Sequence, residues 1–348
     1  MTIPSRIARR LSIVGGFLSL LLIASHQPAL AADIMLKPDA NADSTAAIQS
    51  ALDNAASVVV FPAGTYRTGT LTIPAGVTLR FDPKARLVPI PDKVADKKLL
   101  FVKGDDVRIE GLHHDFAWNG ADIDTTPVHS LIYAEQVAGL FVTGADVGNT
   151  DPRGLVPMAD RKRRGRLLNI DGTDPAKNYS HHGYYADHRL LYVIGGRDIV
   201  LENSVGFRLH AMIETVGTHN VTARGNRMVS GNYLTKFMEG GESLRHHDNW
   251  SRDVKYQVCW FGGSPDPSRK GGEVPLGSAN QAFRDIKPGE AGYNRHTSGA
   301  FDVSVQDNYA EYGNTLAWGN KGRQVVIDGN IARFISDYAY GSEGGENI

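Results

Sequence analysis

Cysteine is all but missing from this 348-residue sequence: Cys259 stands alone, so no internal disulfide can brace the fold. Nor is there an excess of one charge. The 37 lysines and arginines face 38 aspartates and glutamates, a formal net charge of −1, which excludes the basic surplus of a nucleic-acid binder. Histidines and the cysteine show no zinc-ligand spacing, so no metal site is expected. The apolar run from Leu11 to Ile23 is too short to span a bilayer comfortably. Preceded by Arg6, Arg9 and Arg10 and followed by Ala29-Leu30-Ala31, it predicts a cleaved signal peptide over residues 1–31, with an uncleaved anchor as the alternative. Its removal takes the formal charge to −4 and leaves a secreted or periplasmic chain with no membrane partner.

What the chain has in quantity is glycine, 38 residues, together with 41% hydrophobic content. That composition suits one long domain with a large core and many tight turns. Its second half repeats. Strand-opening apolar residues recur at Ile199, Val221, Leu244, Val303, Val325 and Ile348, at intervals of 22, 23, 59, 22 and 23 residues. A period in the low twenties is one turn of a solenoid. Four or five residues after five of these openings come Asn203, Asn226, Asn249, Asn308 and Asn330, which can stack as an amide ladder at one repeated bend. The fold class expected is all-β, a right-handed parallel β-helix.

The segment after the signal predicts a short helix. Asp43-Ser44-Thr45 offers caps, and Ile48, Ala51, Leu52 and Ala55 make one apolar face. A single helix ahead of a solenoid of strands is suited to covering the open end of the coil. Strands follow at Val58–Phe61, Thr70–Ile73 and Val77–Phe81, separated by Pro-Ala-Gly turns. The words DSTAAIQSALDNAASVVVFPAGTYRTGTLTIPAGVTLRF resemble the N-terminal segment of the pectate-lyase-like β-helix superfamily, over roughly residues 41–90. The resemblance implies a capping helix, a "FPAGTY" strand-turn, a "GVTL" strand and an enzyme acting on polysaccharide.

Residues 32–90 thus form the cap helix and first coils, and residues 91–348 the remaining coils, beginning around Val107 and Leu140. Two intervals of 59 residues, from Leu140 to Ile199 and from Leu244 to Val303, predict insertions near 151–189 and 262–300, projecting where a solenoid builds its binding face. Gly344-Gly345-Glu346-Asn347-Ile348 matches the coil entrance Gly240-Gly241-Glu242-Ser243-Leu244. That likeness predicts that the C-terminal end lacks a cap, with a truncated chain or a covering partner as the two explanations.

A β-helix offers a groove whose side chains repeat at the strand spacing of about 4.8 Å. The reading that results is an exported polysaccharide-processing enzyme, preferably a lyase cleaving a uronate polymer by β-elimination. Elimination needs a carboxylate neutraliser, a base and an acid. Calcium or basic side chains serve the first need, and no other cofactor is expected. The densest set of candidates lies between Asn226 and Trp260. Lys236, set among apolar residues where burial lowers a lysine's pKa, Arg245 and His246 are the catalytic candidates. Arg164, His182, Tyr256 and Glu239 are the substrate contacts. His210 and Glu214, four apart, share a face as a structural or an acid-base pair. The alternatives are a glycoside hydrolase, which needs paired carboxylates, a uronate epimerase, and a non-catalytic carbohydrate-binding or envelope-structural β-helix.

Overall fold

The computed structural model describes residues 33–54, 57–117, 126–150, 155–157, 183–185, 188–238, 240–262, 300–320 and 322–343. Most of the two predicted insertions, and residues 344–348 of the expected uncapped end, lie outside these.

The repeat becomes a stack of parallel strands. Val107, Leu140, Ile199, Val221, Leu244, Val303 and Val325 are register partners in consecutive strands of a ten-stranded sheet. All are buried. A second, 14-stranded sheet wraps most of the remaining perimeter in two legs, and a separate three-stranded sheet of Asp39–Asp43, Gly64–Thr68 and Ala85–Pro89 takes part in the first coils. One leg contains Lys98–Val102, Ser130–Glu135, Arg189–Ile194 and Ala211–Val216. The other contains His113–Asp115, Asp146–Gly148 and Val205–Phe207. The legs join because Arg227–Met238 and Trp250–Gly262 run unbroken through the bend between them, with a register shift between Gly231 and Tyr233.

Each bend is a file of left-handed residues. Gly144, Asn203, Gly225, Asp248, Asp307 and Gly329 take positive φ at one corner. These are the residue types that tolerate that conformation at least cost. At another corner the file is Arg208, Ser230, Asp253, Tyr312 and Phe334. Its two bulky aromatics stack on each other with centroids 4.8 Å apart.

The asparagine ladder follows the first of these corners. The N–H and Nδ2 of Asn226 donate to Asn249 Oδ1, those of Asn249 to Asn308 Oδ1, and those of Asn308 to Asn330 Oδ1. Each Nδ2 also donates to a backbone carbonyl, as from Asn249 to Ala223. Asn203 is not in the ladder. It lies four residues after its strand opening instead of five, and so occupies the left-handed corner itself. Ser204 takes the ladder position and donates its N–H to Asn226 Oδ1.

The helix Thr45–Asn54 forms at the N-terminal end. Asp43 Oδ1 accepts from the N–H and hydroxyl of Thr45, and Ile48 and Leu52 are buried. The helix acts as a cap through Gln49. Its Oε1 accepts the N–H of Thr72 and its Nε2 donates to the carbonyl of Thr72, both at 2.9 Å. Thr72 lies on Leu71–Ile73, the edge strand of the second sheet, so one side-chain amide supplies the partners that a neighbouring strand would give.

Candidate active site

The outward face of the first leg carries one continuous file across seven coils. Phe101, Tyr133, Tyr192, Glu214, Lys236, Trp260 and Trp318 are successive register partners. Beside them, two residues further along their strands, Ile194, Val216 and Met238 form a second apolar cluster outside the core. A glutamate and a lysine therefore sit in a strip of aromatic and aliphatic groups.

Glu214 is fully buried. Arg189 Nε donates to its Oε2 at 2.5 Å and Lys236 Nζ to its Oε1 at 3.1 Å. His210 Nε2 lies 3.4 Å from Oε2. Burial alone would push the Glu214 carboxyl up, but the guanidinium of Arg189 and the ammonium of Lys236 hold it well below the usual range. Burial pushes His210 down, and Arg189 adds to that effect, so the imidazole is neutral near pH 7. Its Nδ1 faces Asn232 Nδ2 at 3.3 Å. An amide donor there leaves the ring proton on Nε2, toward Glu214. Two cations, one anion and a neutral histidine give the group a net charge of +1.

Tyr233 borders the cluster. Its ring stacks on Tyr256 with centroids 5.5 Å apart, and Lys236 Nζ is 5.4 Å from its centroid. His210 meets the same ring edge-on at 5.3 Å.

The structure thus brings Lys236 and Tyr256 to one place and separates the other candidates from them. Lys236 is not a lone cation among apolar residues, because Glu214 faces it. Arg245 projects from the ten-stranded sheet, where its guanidinium bonds Asp302 Oδ2 at 2.6 Å. His246 points inward, in the core file of Leu201, Ala223 and Val305. It meets Thr235 Oγ1 at 3.0 Å, and burial holds its pKa down to about 3. Nine residues separate Lys236 from Arg245, but the bend at Gly240 moves the chain from one sheet to the other between them. Arg164, His182 and Glu239 lie outside the described residues. Sequence reasoning passed over Arg189 and did not join Glu214 to Lys236. The signal was the repeat itself: 22 residues, one coil, separate those two.

Among the described residues no group of three or more histidine, cysteine, aspartate or glutamate side chains is placed to hold a metal ion.

No protein-family model and no curated protein matches this chain. Among solved structures it is similar to a family 28 exopolygalacturonase of Yersinia enterocolitica, at 13% identity and a TM-score of 0.60, over 89% of this chain and 60% of that one. The chain therefore spans about three fifths of that protein's length. Weaker likenesses are to an alginate lyase from Paenibacillus (11% identity, TM-score 0.47, covering 91% and 99% of the two chains) and an endo-xylogalacturonan hydrolase from Aspergillus tubingensis (14%, 0.46, 90% and 77%). With its stacked parallel sheets, its amide ladder and its helical cap, this chain has the right-handed parallel β-helix fold.

Proposed function

We propose that this chain is an exported enzyme that processes an acidic, uronate-containing polysaccharide and cleaves it by β-elimination. The observation that carries the reading is the Glu214 carboxylate held between Arg189 and Lys236 in the middle of an outward aromatic file. The fold supports the polysaccharide part of that reading, since a solved structure of the same fold is named an exopolygalacturonase.

A uronate carboxylate approaching this face meets two cations whose charges Glu214 only half cancels. Arg189 and Lys236 neutralise it, which acidifies the proton on the adjacent ring carbon. Tyr233, beside Lys236, exchanges protons with the substrate. The ring proton moves to the Tyr233 oxygen, the electron pair it leaves forms the carbon–carbon double bond, the glycosidic carbon–oxygen bond breaks, and the departing oxygen takes the hydroxyl proton that Tyr233 held. His210 positions Glu214. Tyr256, stacked on Tyr233, fixes the phenol ring and lines the sugar site. Hydrolysis fits less well. It calls for two carboxylates at a set separation, and among the described residues of this file Glu214 is the single carboxylate, already bonded to two cations.

The test is a screen over uronate polymers, with and without calcium, read both at the ultraviolet absorbance of an unsaturated product and for reducing ends. Elimination gives both signals. Reducing ends without absorbance would establish hydrolysis, and neither signal across the panel would overturn the enzymatic reading.

A further inference from the structure

We propose that Trp260 and Trp318 form a stacking platform for an uncharged sugar ring beside the ion-pair cluster, so that the polymer this face takes carries neutral as well as uronate units. The proposal rests on the polysaccharide reading above and adds to it the composition of the substrate.

The first observation is where the two indoles lie. They continue the file of Glu214 and Lys236 by one coil and two, and both are part-exposed. Their planes are 26° apart and their centroids 6.5 Å apart, at the long end of the roughly 4.5–7 Å range of paired aromatic rings. Each ring therefore keeps surface the other does not cover. The second observation is what lies under Trp318. Its partner in the next strand is Gly341, where a Cβ would fall 2.5 Å from the indole Cδ1. The ring lies over that strand, in space that any side chain would fill, and stays part-exposed. An indole face suits the C–H face of a pyranose, and its N–H supplies a hydrogen bond at the rim.

The third observation is charge. On the other side of the cluster each aromatic has a cation nearby: Lys103 Nζ lies 4.7 Å from the Phe101 centroid, Lys98 Nζ 3.8 Å from that of Tyr133, and the Arg189 guanidinium 5.1 Å from that of Tyr192. That half of the track suits anionic rings. Toward Trp318 the cations thin out: Lys236 is 6.0 Å from the Trp260 centroid, and among the described residues none is placed over Trp318. The described residues therefore offer a ring bound there apolar stacking and no charge.

The experiment is a titration of intrinsic tryptophan fluorescence with xylo-oligosaccharides and galacto-oligosaccharides, as neutral probes, and with oligogalacturonate. It uses the full chain, Trp318→Ala, and Gly341→Val, which lifts the indole without removing it. Circular dichroism checks that the variants keep the strand signature. At least one neutral probe is expected to change the wild-type fluorescence, and both variants are expected to lose affinity for it, on the order of tenfold for Trp318→Ala. Wild-type fluorescence indifferent to both neutral probes, or either folded variant binding as the wild type does, would overturn the platform. The two readings fail separately. Neutral-probe binding without unsaturated product from uronate polymers keeps the platform and loses elimination, whereas product without any tryptophan response loses the platform alone.

Discussion

Replacing Glu214 by glutamine keeps the shape of the side chain and removes its charge. The carboxylate is fully buried and bonds Arg189 at 2.5 Å and Lys236 at 3.1 Å, while those two side chains keep only 11% and 15% of their exposure. Glu214→Gln therefore leaves two cations close together and largely out of water. Breaking a buried pair in this way costs about 3–5 kcal/mol, and the lower end applies because both cations retain some solvent contact. A loss of about 3 kcal/mol corresponds, for a chain of this length, to a melting midpoint lowered by roughly 4 °C at pH 7. Removing one cation as well, in Glu214→Gln/Lys236→Met, should regain on the order of 1 kcal/mol, because the second variant relieves the repulsion created by the first. The pH dependence has a definite sign. The folded-state pKa of Glu214 is depressed, so its contribution is complete above the unfolded glutamate value of about 4.3 and is lost as the pH falls through the folded value. The gap between wild type and Glu214→Gln should accordingly be full at pH 7 and narrow only below about pH 4. Thermal melts followed by circular dichroism at both pH values test this. A Glu214→Gln midpoint within 1 °C of wild type at pH 7, taking about 1 °C as the resolution of the midpoint, would refute the clamp.

Asn249→Ala leaves the buried N–H of Asn226 and the carbonyl of Ala223 without their partners, a loss of about 2–4 kcal/mol, whereas Asn203→Gly at φ +50° should change stability by only a few tenths of a kcal/mol; equal effects in urea melts would discredit the ladder. His246 is held neutral with a pKa of about 3, so the unfolded chain takes up its proton first and stability falls by about 1.4 kcal/mol per pH unit below about pH 6.5. His246→Leu should flatten that slope between pH 6 and 4, and an unchanged slope would place the imidazole in water. Gln49→Ala removes both partners of Thr72, and hydrogen exchange at the Thr72 amide should quicken at least tenfold, consistent with the roughly 1–3 kcal/mol cost of leaving such a group unmatched.

Much of this fold was legible because its coils repeat the same physical demand. An inward apolar residue must return once per coil, and Ile199, Val221, Leu244, Val303 and Val325 do so in register. The helix was legible for a similar reason, since Ile48 and Leu52 needed something to cover. What one offset hid was Asn203: asparagine suits both the ladder and the left-handed corner, and only the spacing of four against five distinguishes the two. The site was less legible. Local density pointed to the stretch around Lys236, Arg245 and His246, but density along the chain is not proximity in a solenoid. The corner at Gly240 puts Arg245 on a different sheet, and strand alternation turns His246 into the core. The partner of Lys236 comes from the preceding coil, as Glu214, and the second cation on Glu214 from the coil before that, as Arg189. The spacing of one coil, applied to charged residues as it was to apolar ones, would have joined Glu214 to Lys236. Arg189 would still have escaped, because it reaches Glu214 from outside the file.

The most direct measurement is turnover on the first uronate polymer that yields an unsaturated product, compared for wild type, Lys236→Met and Arg245→Met. Lys236→Met should lose at least about a hundredfold in kcat, the scale of a lost electrostatic or proton-transfer contribution, while Arg245→Met, on the other sheet, should stay within about twofold of wild type, a difference of about 0.4 kcal/mol. Turnover that survives Lys236→Met and collapses in Arg245→Met would contradict that expectation.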